Sequence, residues 1–330
     1  MSRRAPRRYV PATELDGRPH VVVDGAPRPG TVLTLSHWPG TPTPRELWAD
    51  VSAEIVLHAL TRRRLWPSGV DAVTVDHYDA DGVISLGLLV GDGLSEGHHP
   101  LLVAAAHAGD FDVVASVDAG RVAFGLAALQ ADTTELSAER ALATLPELVE
   151  TPAAFEALWG PEEAALRAAA AMRDTGTLRI EDHPALDLAV VHVDADDPRA
   201  EAARWGDAVV HPGAVHSATG CLRVATLTGR RYEVHFRYET WVRLGRRRPR
   251  RRVDLAPLAT RLQTLESDGG AWVFDGAGAI VPQLKRADDG ESTLSPELFL
   301  DELVRALRKL DEGPPAWDPY ARPVAATSAG

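Results

Sequence analysis

The sequence predicts an α/β fold in which a parallel sheet flanked by helices is followed by a smaller C-terminal α+β portion. Short apolar segments typical of strands alternate with helical segments through the first half of the chain. Two near-continuous apolar runs, at 70–75 and 186–195, indicate buried strands that we expect to be parallel to each other. In the last third, a strictly alternating segment and a hairpin signal indicate antiparallel strands.

Composition limits the classes of protein to consider. The 330 residues are 45% hydrophobic and 25% charged, which is ordinary for a globular chain. The formal charge of −12 argues against a protein that coats nucleic acid through its overall field. The one cysteine, Cys221, excludes an internal disulfide framework and fits a reducing compartment. No secretory signal and no apolar stretch of about 18 residues is found, so we expect a cytoplasmic protein without a membrane span.

The first half reads as alternating strands and helices. Strand candidates lie at 20–23, 31–35 and 70–75, and a helix candidate covers 45–63. Thr43 with Glu46 three residues later, and Pro44 between them, predicts the start of that helix. Further helices are predicted at 83–90, 100–108, 117–130, 137–149 and 152–173.

The remaining chain completes the predicted organisation. Two extended runs, 221–227 and 231–242, are joined by Thr228-Gly229-Arg230, and a helix at 255–267, a strand at 269–276 and a helix opened by Ser295 follow. The predicted division is a loose arm at 1–19, an α/β domain at 20–200, an α+β domain at 201–320 and a tail at 321–330.

An acidic loop follows the strand at 70–75. His77, Asp79 and Asp81 form an H-x-D-x-D pattern at a strand end, where open α/β sheets bind ligands. Oxygen and imidazole donors suit manganese, magnesium or zinc, and a divalent cation would offset the repulsion between the carboxylates. In the alternative interpretation, Asp81 caps the next helix and Asp79 is a solvated turn residue.

The segment DHYDADGVIS (76–85) resembles the first motif of the DHH phosphoesterase superfamily. That superfamily includes exonucleases, phosphodiesterases and pyrophosphatases that use a pair of manganese or magnesium ions. The resemblance implies that His77, Asp79 and Asp81 are metal ligands and that Ser85 lies close behind the site. The chain has no Asp-His-His triplet, because His98-His99 is preceded by Glu96-Gly97, and this leaves the ligands of a second ion unassigned.

Other residues are candidates to complete the site. His107 and Asp110 stand three apart at a predicted helix end, where His107 could equally cap the helix C-terminus. Asp50, Glu54 and His58 share one helical face, for which a solvated face is the favoured interpretation. His37 follows a strand and could enter the same crevice, although a packed histidine is the favoured interpretation.

A second group of polar residues lies in the last third. The loop before the hairpin carries His211, His216 and Ser217, which could present donors to a phosphate or could belong to a surface connection. Arg231 and Arg237 are candidates to clamp that phosphate. The arginine run 246–252, with Tyr238 and Trp241, could contact a phosphodiester or could be a solvated loop.

Together these patterns predict a divalent-metal-dependent phosphodiesterase or phosphatase that uses one or two Mn²⁺ or Mg²⁺ ions. His77, Asp79, Asp81 and Asp110 are the predicted ligands, and Asp79, Asp81 and His107 the predicted catalytic groups. The expected substrate is a small phosphorylated molecule or nucleotide; the overall charge does not support nucleic acid, and the sequence indicates no oligomeric state. The alternatives are a non-catalytic nucleotide- or partner-binding protein and a metal-free protein whose acidic loop is a helix cap.

Overall fold

The structure is a computed structural model that describes residues 7–91 and 93–321, with Arg63 described by its backbone alone. Its first part contains a four-stranded sheet in which every neighbouring pair is parallel. The spatial order is β1-β4-β2-β3. These strands are β1 (Arg8–Tyr9), β2 (His20–Val23), β3 (Thr31–Leu35) and β4 (Ala72–Thr74).

Six helices of the described chain precede the second sheet in sequence. They are α1 (Ser52–Thr61), α2 (Ala80–Val90), α3 (His99–Phe111), α4 (Val117–Ala128), α5 (Thr134–Glu150) and α6 (Glu156–Thr175). Ser116 and Thr133 cap α4 and α5, since each hydroxyl accepts a hydrogen bond from a backbone N–H of the first turn. The predicted helical block in the middle of the chain is therefore confirmed.

The second part is built on a six-stranded sheet in the order β5-β6-β7-β8-β10-β9. Only β6 and β7 pair in parallel, and the other pairs are antiparallel. Its strands are β5 (Leu178–His183), β6 (Leu188–Val193), β7 (Arg223–Thr228), β8 (Arg231–Phe236), β9 (Trp272–Phe274) and β10 (Gln283–Arg286). Its helices are α7 (Pro212–His216), α8 (Ala256–Leu265) and α9 (Pro296–Asp311).

Each sheet has its own apolar core. Val21, Val23 and Val73 of the first sheet pack against α1 and α2. In the second sheet, Val234 and Phe236 belong to a core completed by α8 and α9. The alternation along β8 buries one face, as predicted, and the mixed α/β class with a C-terminal α+β portion is confirmed.

The start of the first helix was predicted wrongly. Residues 45–47 form a single 3-10 turn, Trp48 and Val51 are extended, and α1 begins only at Ser52. The local Thr43-Pro44-Glu46 signal does not set the helix start. Asp81, which is distant in sequence, accepts hydrogen bonds from the backbone N–H groups of Ser52 and Ala53 and caps the helix there.

Two further expectations are corrected. The apolar run at 186–195 contributes β6, which pairs with β5 and β7 of the second sheet and not with the first sheet, so the change of sheet comes before Leu178. Residues 7–19, the described part of the predicted loose arm, pack onto the fold. In this segment β1 pairs with β4, and Val10 and Leu15 are buried. Residues 1–6 of the arm and 322–330 of the tail lie outside the described residues.

Within the described chain, no helix combines the length and apolar character that crossing a bilayer requires.

Candidate metal centre

The carboxyl ends of three adjacent parallel strands bring polar side chains together. Asp24 follows β2 directly, His37 lies two residues beyond β3, and His77 and Asp79 follow β4. Because β2 lies between β4 and β3, residues that are about 50 positions apart in sequence become neighbours at one sheet edge. Asp81 from α2 and Asp110 from the last turn of α3 complete the cluster.

Asp24 lies at the middle of the cluster and is 1% exposed. Its backbone has a φ of 42°, a left-handed conformation that aspartate tolerates better than most residues. Next to it, a side chain at Gly25 would collide with the carboxylate of Asp76, which would then have to move. The Ser52 hydroxyl donates to Oδ1 of Asp24 at 2.7 Å, whereas Oδ2 is buried without a hydrogen-bond donor.

His37 is oriented with one ring nitrogen facing the cluster. Its Nδ1 is 2.7 Å from the carbonyl oxygen of Asp50, which can only accept, so Nδ1 carries the proton. Burial lowers the pKa of His37 to about 4, and the ring is therefore neutral with a lone pair on Nε2. That Nε2 lies 3.5 Å from Oδ1 of Asp24 and 3.5 Å from Oδ2 of Asp110.

His77 and Asp79 form the more accessible side of the cluster. Nε2 of His77 is 2.7 Å from Oδ2 of Asp79 and 3.4 Å from Oδ2 of Asp24, and Nδ1 is 3.0 Å from Oδ1 of Asp76. Burial opposes the charge on His77, but the hydrogen bonds to Asp76 and Asp79 outweigh it and raise its pKa to about 11. Their side chains are 32% and 33% exposed, so solvent reaches the cluster here.

The two aspartates of the D-x-D pattern cap different helices. Asp79 is the N-cap of α2, where Oδ1 accepts from the N–H of Gly82 at 2.7 Å. Asp81 caps α1 instead: its oxygens accept from Ser52 N–H at 2.6 Å and Ala53 N–H at 2.8 Å. The alternative interpretation, that an aspartate of this loop caps the next helix, therefore holds for α2, but the cap is Asp79 and not Asp81. Each carboxylate oxygen keeps a second lone pair, so capping leaves both residues able to bind a cation.

The aspartates of the cluster differ in pKa, and two of them are shifted toward the protonated form. Burial, followed by the nearby charges of Asp79 and Asp81, raises the pKa of Asp24 well above its ordinary value. Burial and Asp79 raise the pKa of Asp81 to about 7. The pKa of Asp79 is lowered instead: burial favours the protonated form, but the contact with His77 and the hydrogen bond from the Gly82 N–H outweigh burial. Carboxylates in this environment favour either protons or a cation.

Asp110 and His107 project from the last two turns of α3. The Asp110 side chain is 2% exposed, its Oδ2 has no hydrogen-bond donor, and burial raises its pKa well above the ordinary value. His107 is farther out, with Nε2 3.8 Å from Oε2 of Glu54 and a side chain that is 20% exposed. Glu54 also contacts the Arg246 guanidinium, so this part of the predicted solvated face is an ion-pair network.

Aromatic rings enclose the cluster. The Tyr238 hydroxyl lies 3.5 Å from Nε2 of His37, and burial raises the pKa of Tyr238 well above 10, so the phenol stays protonated. The Trp38 ring packs 5.0 Å from the His77 ring and 5.4 Å from that of Trp241. Tyr238 and Trp241 follow β8 and are the contribution of the second part of the chain to this wall.

Two sets of three donors meet the distance requirement for a metal ion. One ligand atom from each of Asp24, His77 and Asp79 lies within 4.8 Å of the other two, and the same holds for Asp24, His37 and Asp81. Asp24 belongs to both sets. The orphaned oxygen of Asp24, the orphaned oxygen of Asp110 and the lone pair of His37 all face this space, so the donor set fits one or two divalent ions.

The predicted ligands His77, Asp79, Asp81 and Asp110 are therefore brought together, and His107 lies at the edge. Two other members were not predicted as ligands. Asp24 was missed, although an aspartate directly after the apolar run 20–23 repeats the pattern at 70–76. His37 was interpreted as a packed histidine; it is fully buried, yet its Nε2 faces two carboxylates.

The predicted substrate-binding residues have other contacts. His211 caps α7 and lies 3.4 Å from Glu162, and Nδ1 of His216 lies 3.2 Å from Asp112. The Ser217 hydroxyl accepts from the Val114 N–H, and Arg231 is exposed at the start of β8. None of these described contacts joins the carboxylate cluster, so their role in substrate binding stays a prediction.

Arg237 is not available as a phosphate clamp. Its guanidinium is buried, pairs with Glu239 at 2.6 Å and donates to backbone carbonyls that include that of Phe111. In the arginine run, Arg252 is also buried and donates to the carbonyls of Ala277, Ala279 and Ile280. These arginines connect segments of the fold, whereas Arg28 is partly exposed and its Nη2 lies 3.9 Å from Oδ2 of Asp76.

Comparison with known proteins gives a family and no activity. A family model described as "Family of unknown function (DUF6687)" matches residues 5–315. No curated protein and no solved structure matches the chain.

Proposed function

Because the chain belongs to DUF6687, a family of unknown function, we infer its function from the site alone and propose a divalent-metal-dependent phosphoesterase. The observation that carries the proposal is the set of buried donors around Asp24. Buried carboxylate oxygens normally have hydrogen-bond partners, yet Asp24 Oδ2 and Asp110 Oδ2 have none. A pair of cations sharing Asp24 would satisfy both oxygens and the His37 lone pair at once.

The donor chemistry favours Mn²⁺. Carboxylate oxygens suit Mg²⁺, Mn²⁺ and Ca²⁺, while an imidazole in each set disfavours the purely oxygen-binding ions. The Asp50 carbonyl fixes the tautomer and ring orientation of His37, as backbone acceptors do for metal-binding histidines. When bound, such ions lower the pKa of a water molecule and stabilise charge on phosphoryl oxygens.

The chain itself supplies groups that bind and orient an anionic substrate. Arg28 lies beside the exposed edge formed by His77 and Asp79, and its side chain is 33% exposed. A partly exposed guanidinium is suited to pairing with a phosphoryl oxygen. A phosphoester carries negative charge. The guanidinium at the rim and cations held by the carboxylates inside would both stabilise that charge.

His107 is the candidate to give a proton to the leaving group. Its ring is held by Glu54 on one side and packs edge-on against Phe111, with centroids 5.4 Å apart. It is partly exposed, unlike His37, so it can meet a substrate. The similarity of DHYDADGVIS to the DHH motif supports the same reaction class and the roles of His77, Asp79 and Asp81.

The proposal is tested by measuring Mn²⁺ binding calorimetrically and hydrolysis of phosphodiester and phosphomonoester substrates in parallel. Asp24→Asn is expected to abolish Mn²⁺-dependent hydrolysis, because the shared carboxylate is lost at nearly unchanged volume. His37→Gln is expected to lower Mn²⁺ affinity by at least about tenfold. An Asp79→Asn, Asp81→Asn double variant is expected to be inactive as well.

His58→Gln is the matched control. His58 is also a part-buried histidine whose Nδ1 contacts a carbonyl oxygen, that of Leu47, but it is no member of the metal-ligand sets. It should keep both binding and activity. Activity that is unchanged in Asp24→Asn would reject the mechanism, while stoichiometric Mn²⁺ binding without turnover of any ester would favour the non-catalytic binding protein.

A further inference from the structure

A row of aromatic rings leads away from the accessible side of the carboxylate cluster. It starts at the His77 ring, which packs 5.0 Å from the ring of Trp38, and Trp38 in turn packs 5.4 Å from Trp241. Trp241 and Trp317 are stacked, with centroids 6.1 Å apart and planes inclined by only 2°. All three tryptophans are partly exposed. The row therefore connects the cluster with the segment that follows α9.

The same segment also carries Tyr320, which contacts the arginine run 246–252. The Tyr320 hydroxyl donates to the carbonyl oxygen of Leu244 at 2.9 Å, just before the run. The guanidinium of Arg248 lies 4.6 Å from the centroid of the Tyr320 ring, which is partly exposed. The aromatic row and the arginine run thus adjoin at residues 317–320.

The first arginine of the run lies beside the carboxylate cluster itself. Arg246 pairs with Glu54, and Glu54 lies 3.8 Å from Nε2 of His107 at the edge of the cluster. The backbone N–H groups of Gly245 and Arg246 both donate to Oδ1 of Asp50, at 2.9 Å and 3.0 Å. These contacts fix the start of the run next to the candidate site.

Much of the positive charge along this surface has no acidic partner. Arg250 pairs with Asp311 at 2.8 Å and holds the run beside the last turn of α9. Exposed cations without a carboxylate partner among the described contacts are Arg247, Arg248 and Arg251 of the run and Arg308 and Lys309 of that turn. In a chain of formal charge −12, such a local group of cations creates a positive field that attracts an anion.

We propose that this surface binds single-stranded nucleic acid, with the arginines on the phosphates and the aromatic rings against the bases. Proteins that bind single strands combine a cationic track for the backbone with aromatic rings, because every base has a face that can stack. A strand on this track would pass the opening at His77 and Asp79. The inference rests on the proposed function in one respect: it names an oligonucleotide as the phosphoester that this site hydrolyses.

The neighbouring rings favour a nucleic-acid strand over other polyanions. Inorganic polyphosphate and an acidic peptide would pair with the arginines but would leave the tryptophan row unused. A bilayer surface requires apolar side chains that insert, and none of the exposed large apolar residues of the described chain lies in 245–252 or 308–320.

The test is fluorescence anisotropy with a labelled, unstructured strand of about 12 nucleotides, in a chelator so that no hydrolysis occurs. A triple variant, Arg247→Gln, Arg248→Gln and Arg251→Gln, is expected to bind at least about tenfold more weakly at about 0.1 M salt. It should also reduce the slope of log affinity against log salt by about 2, since each lost phosphate contact removes about 0.7.

Trp317→Leu tests the aromatic row separately from the charge. It is expected to weaken binding of the strand about 5- to 150-fold, as the loss of one stacked base does, and to leave binding of inorganic polyphosphate unchanged. Trp205→Leu is its matched control, because Trp205 is 37% exposed but lies outside the row. That control should bind the strand as the unchanged chain does.

The matched control for charge is a second triple variant with the same net charge. Arg140→Gln, Arg179→Gln and Arg204→Gln change exposed arginines of α5, β5 and the loop after β6, which have no carboxylate partner among the described contacts. This variant should bind the strand with nearly the affinity of the unchanged chain. All variants are compared only where circular dichroism shows that they are folded.

Three outcomes would overturn the inference. They are equal affinities of the two triple variants, polyphosphate that binds as tightly as a strand of the same charge, and binding to phosphatidylserine vesicles with none to the strand. Binding in a chelator does not depend on turnover, so it is independent of whether Asp24→Asn abolishes hydrolysis. Failure of this inference and failure of the proposed function are therefore distinguishable.

Discussion

At the scale of single residues, the chemistry of the carboxylate cluster follows from which atoms lack a donor. Ser52 satisfies one oxygen of Asp24, and backbone N–H groups satisfy both oxygens of Asp81. The second oxygen of Asp24 and one of Asp110 remain unsatisfied at nearly complete burial. An unsatisfied buried charge is costly, so proton uptake and cation binding compete for the same positions.

This competition predicts how stability depends on pH without metal. The pKa of His77 is about 11 in the folded protein against 6.5 when unfolded, so its stabilisation is present below pH 6.5 and is lost as the pH rises toward 11. Asp81, with a folded pKa of about 7, acts in the same direction between pH 3.8 and 7. His37, with a folded pKa of about 4, acts in the opposite direction only below pH 6.5.

We therefore expect the melting temperature of the protein in a chelator to fall as the pH rises from 7 to 9. The slope for one proton is at most about 1.4 kcal/mol per pH unit. Saturating Mn²⁺ should remove this fall, because the cation replaces the protons. Thermal unfolding at pH 7, 8 and 9 measures it; His77→Gln should flatten the profile, and a melting temperature that rises with pH in the chelator would contradict the expectation.

The proximity of three members of the cluster could be expected from the sequence, because the signal is local. His77, Asp79 and Asp81 lie within five positions, and strand, loop and helix around them follow from hydrophobic pattern. Nothing local distinguishes Asp24 from an ordinary turn aspartate or His37 from a packed histidine. Their role depends on the distances to each other, which only the pairing of their strands produces.

At the scale of secondary-structure elements, the site depends on close packing of α2 and α3. A side chain at Gly109 would place its Cβ 2.5 Å from the Cβ of Ala80 in the first turn of α2. Glycine therefore lets the last turn of α3 approach the helix that begins beside Asp79, and this approach brings Asp110 to His37. The helix α3 continues through Gly109 to Phe111.

Gly109→Ala is expected to destabilise the protein by about 1 to 3 kcal/mol through overpacking. It should also weaken Mn²⁺ binding, because α3 and Asp110 must move away from α2. Urea unfolding and calorimetry measure the two effects. Gly220→Ala is the control, since this glycine has open space around its Cβ position and a φ outside the left-handed region. That change should stabilise by about 0.4 to 1 kcal/mol; equal effects of both changes would contradict the close-packing argument.

At the scale of the whole molecule, the end of α3 connects the part built on the parallel sheet with the part built on the mixed sheet. Arg237, just after β8, pairs with Glu239 and donates to the carbonyls of Phe111, His216 and Thr219. Tyr238 reaches His37 from the same segment. The second part of the chain thus covers the carboxylate cluster with aromatic rings, although its predicted anion-binding residues contact other parts of the fold.

Arg237→Ala is expected to lower the free energy of unfolding by about 3 to 5 kcal/mol, because it leaves the buried Glu239 charge and several carbonyls without a partner. Chemical denaturation measures this. Arg261→Ala is the control: its pair with Glu302 has a 3.3 Å separation on a side chain that is 53% exposed. Exposed pairs contribute about 0 to 1 kcal/mol. A comparable loss in both variants would show that Arg237 is not a buried connection.

The sequence by itself determined most elements, the mixed α/β class and one acidic loop, because hydrophobic period and capping residues act within a few positions. It did not determine that β6 belongs to the second sheet, that Asp81 caps α1, or that Asp24 and His37 join the acidic loop. Only the tertiary structure decided these, since each depends on strands or helices that are distant in the chain and adjacent in space. The electrostatic cost of this cluster arises because Asp24, Asp81 and Asp110 are buried beside Asp79, and no single segment of the chain contains all four carboxylates.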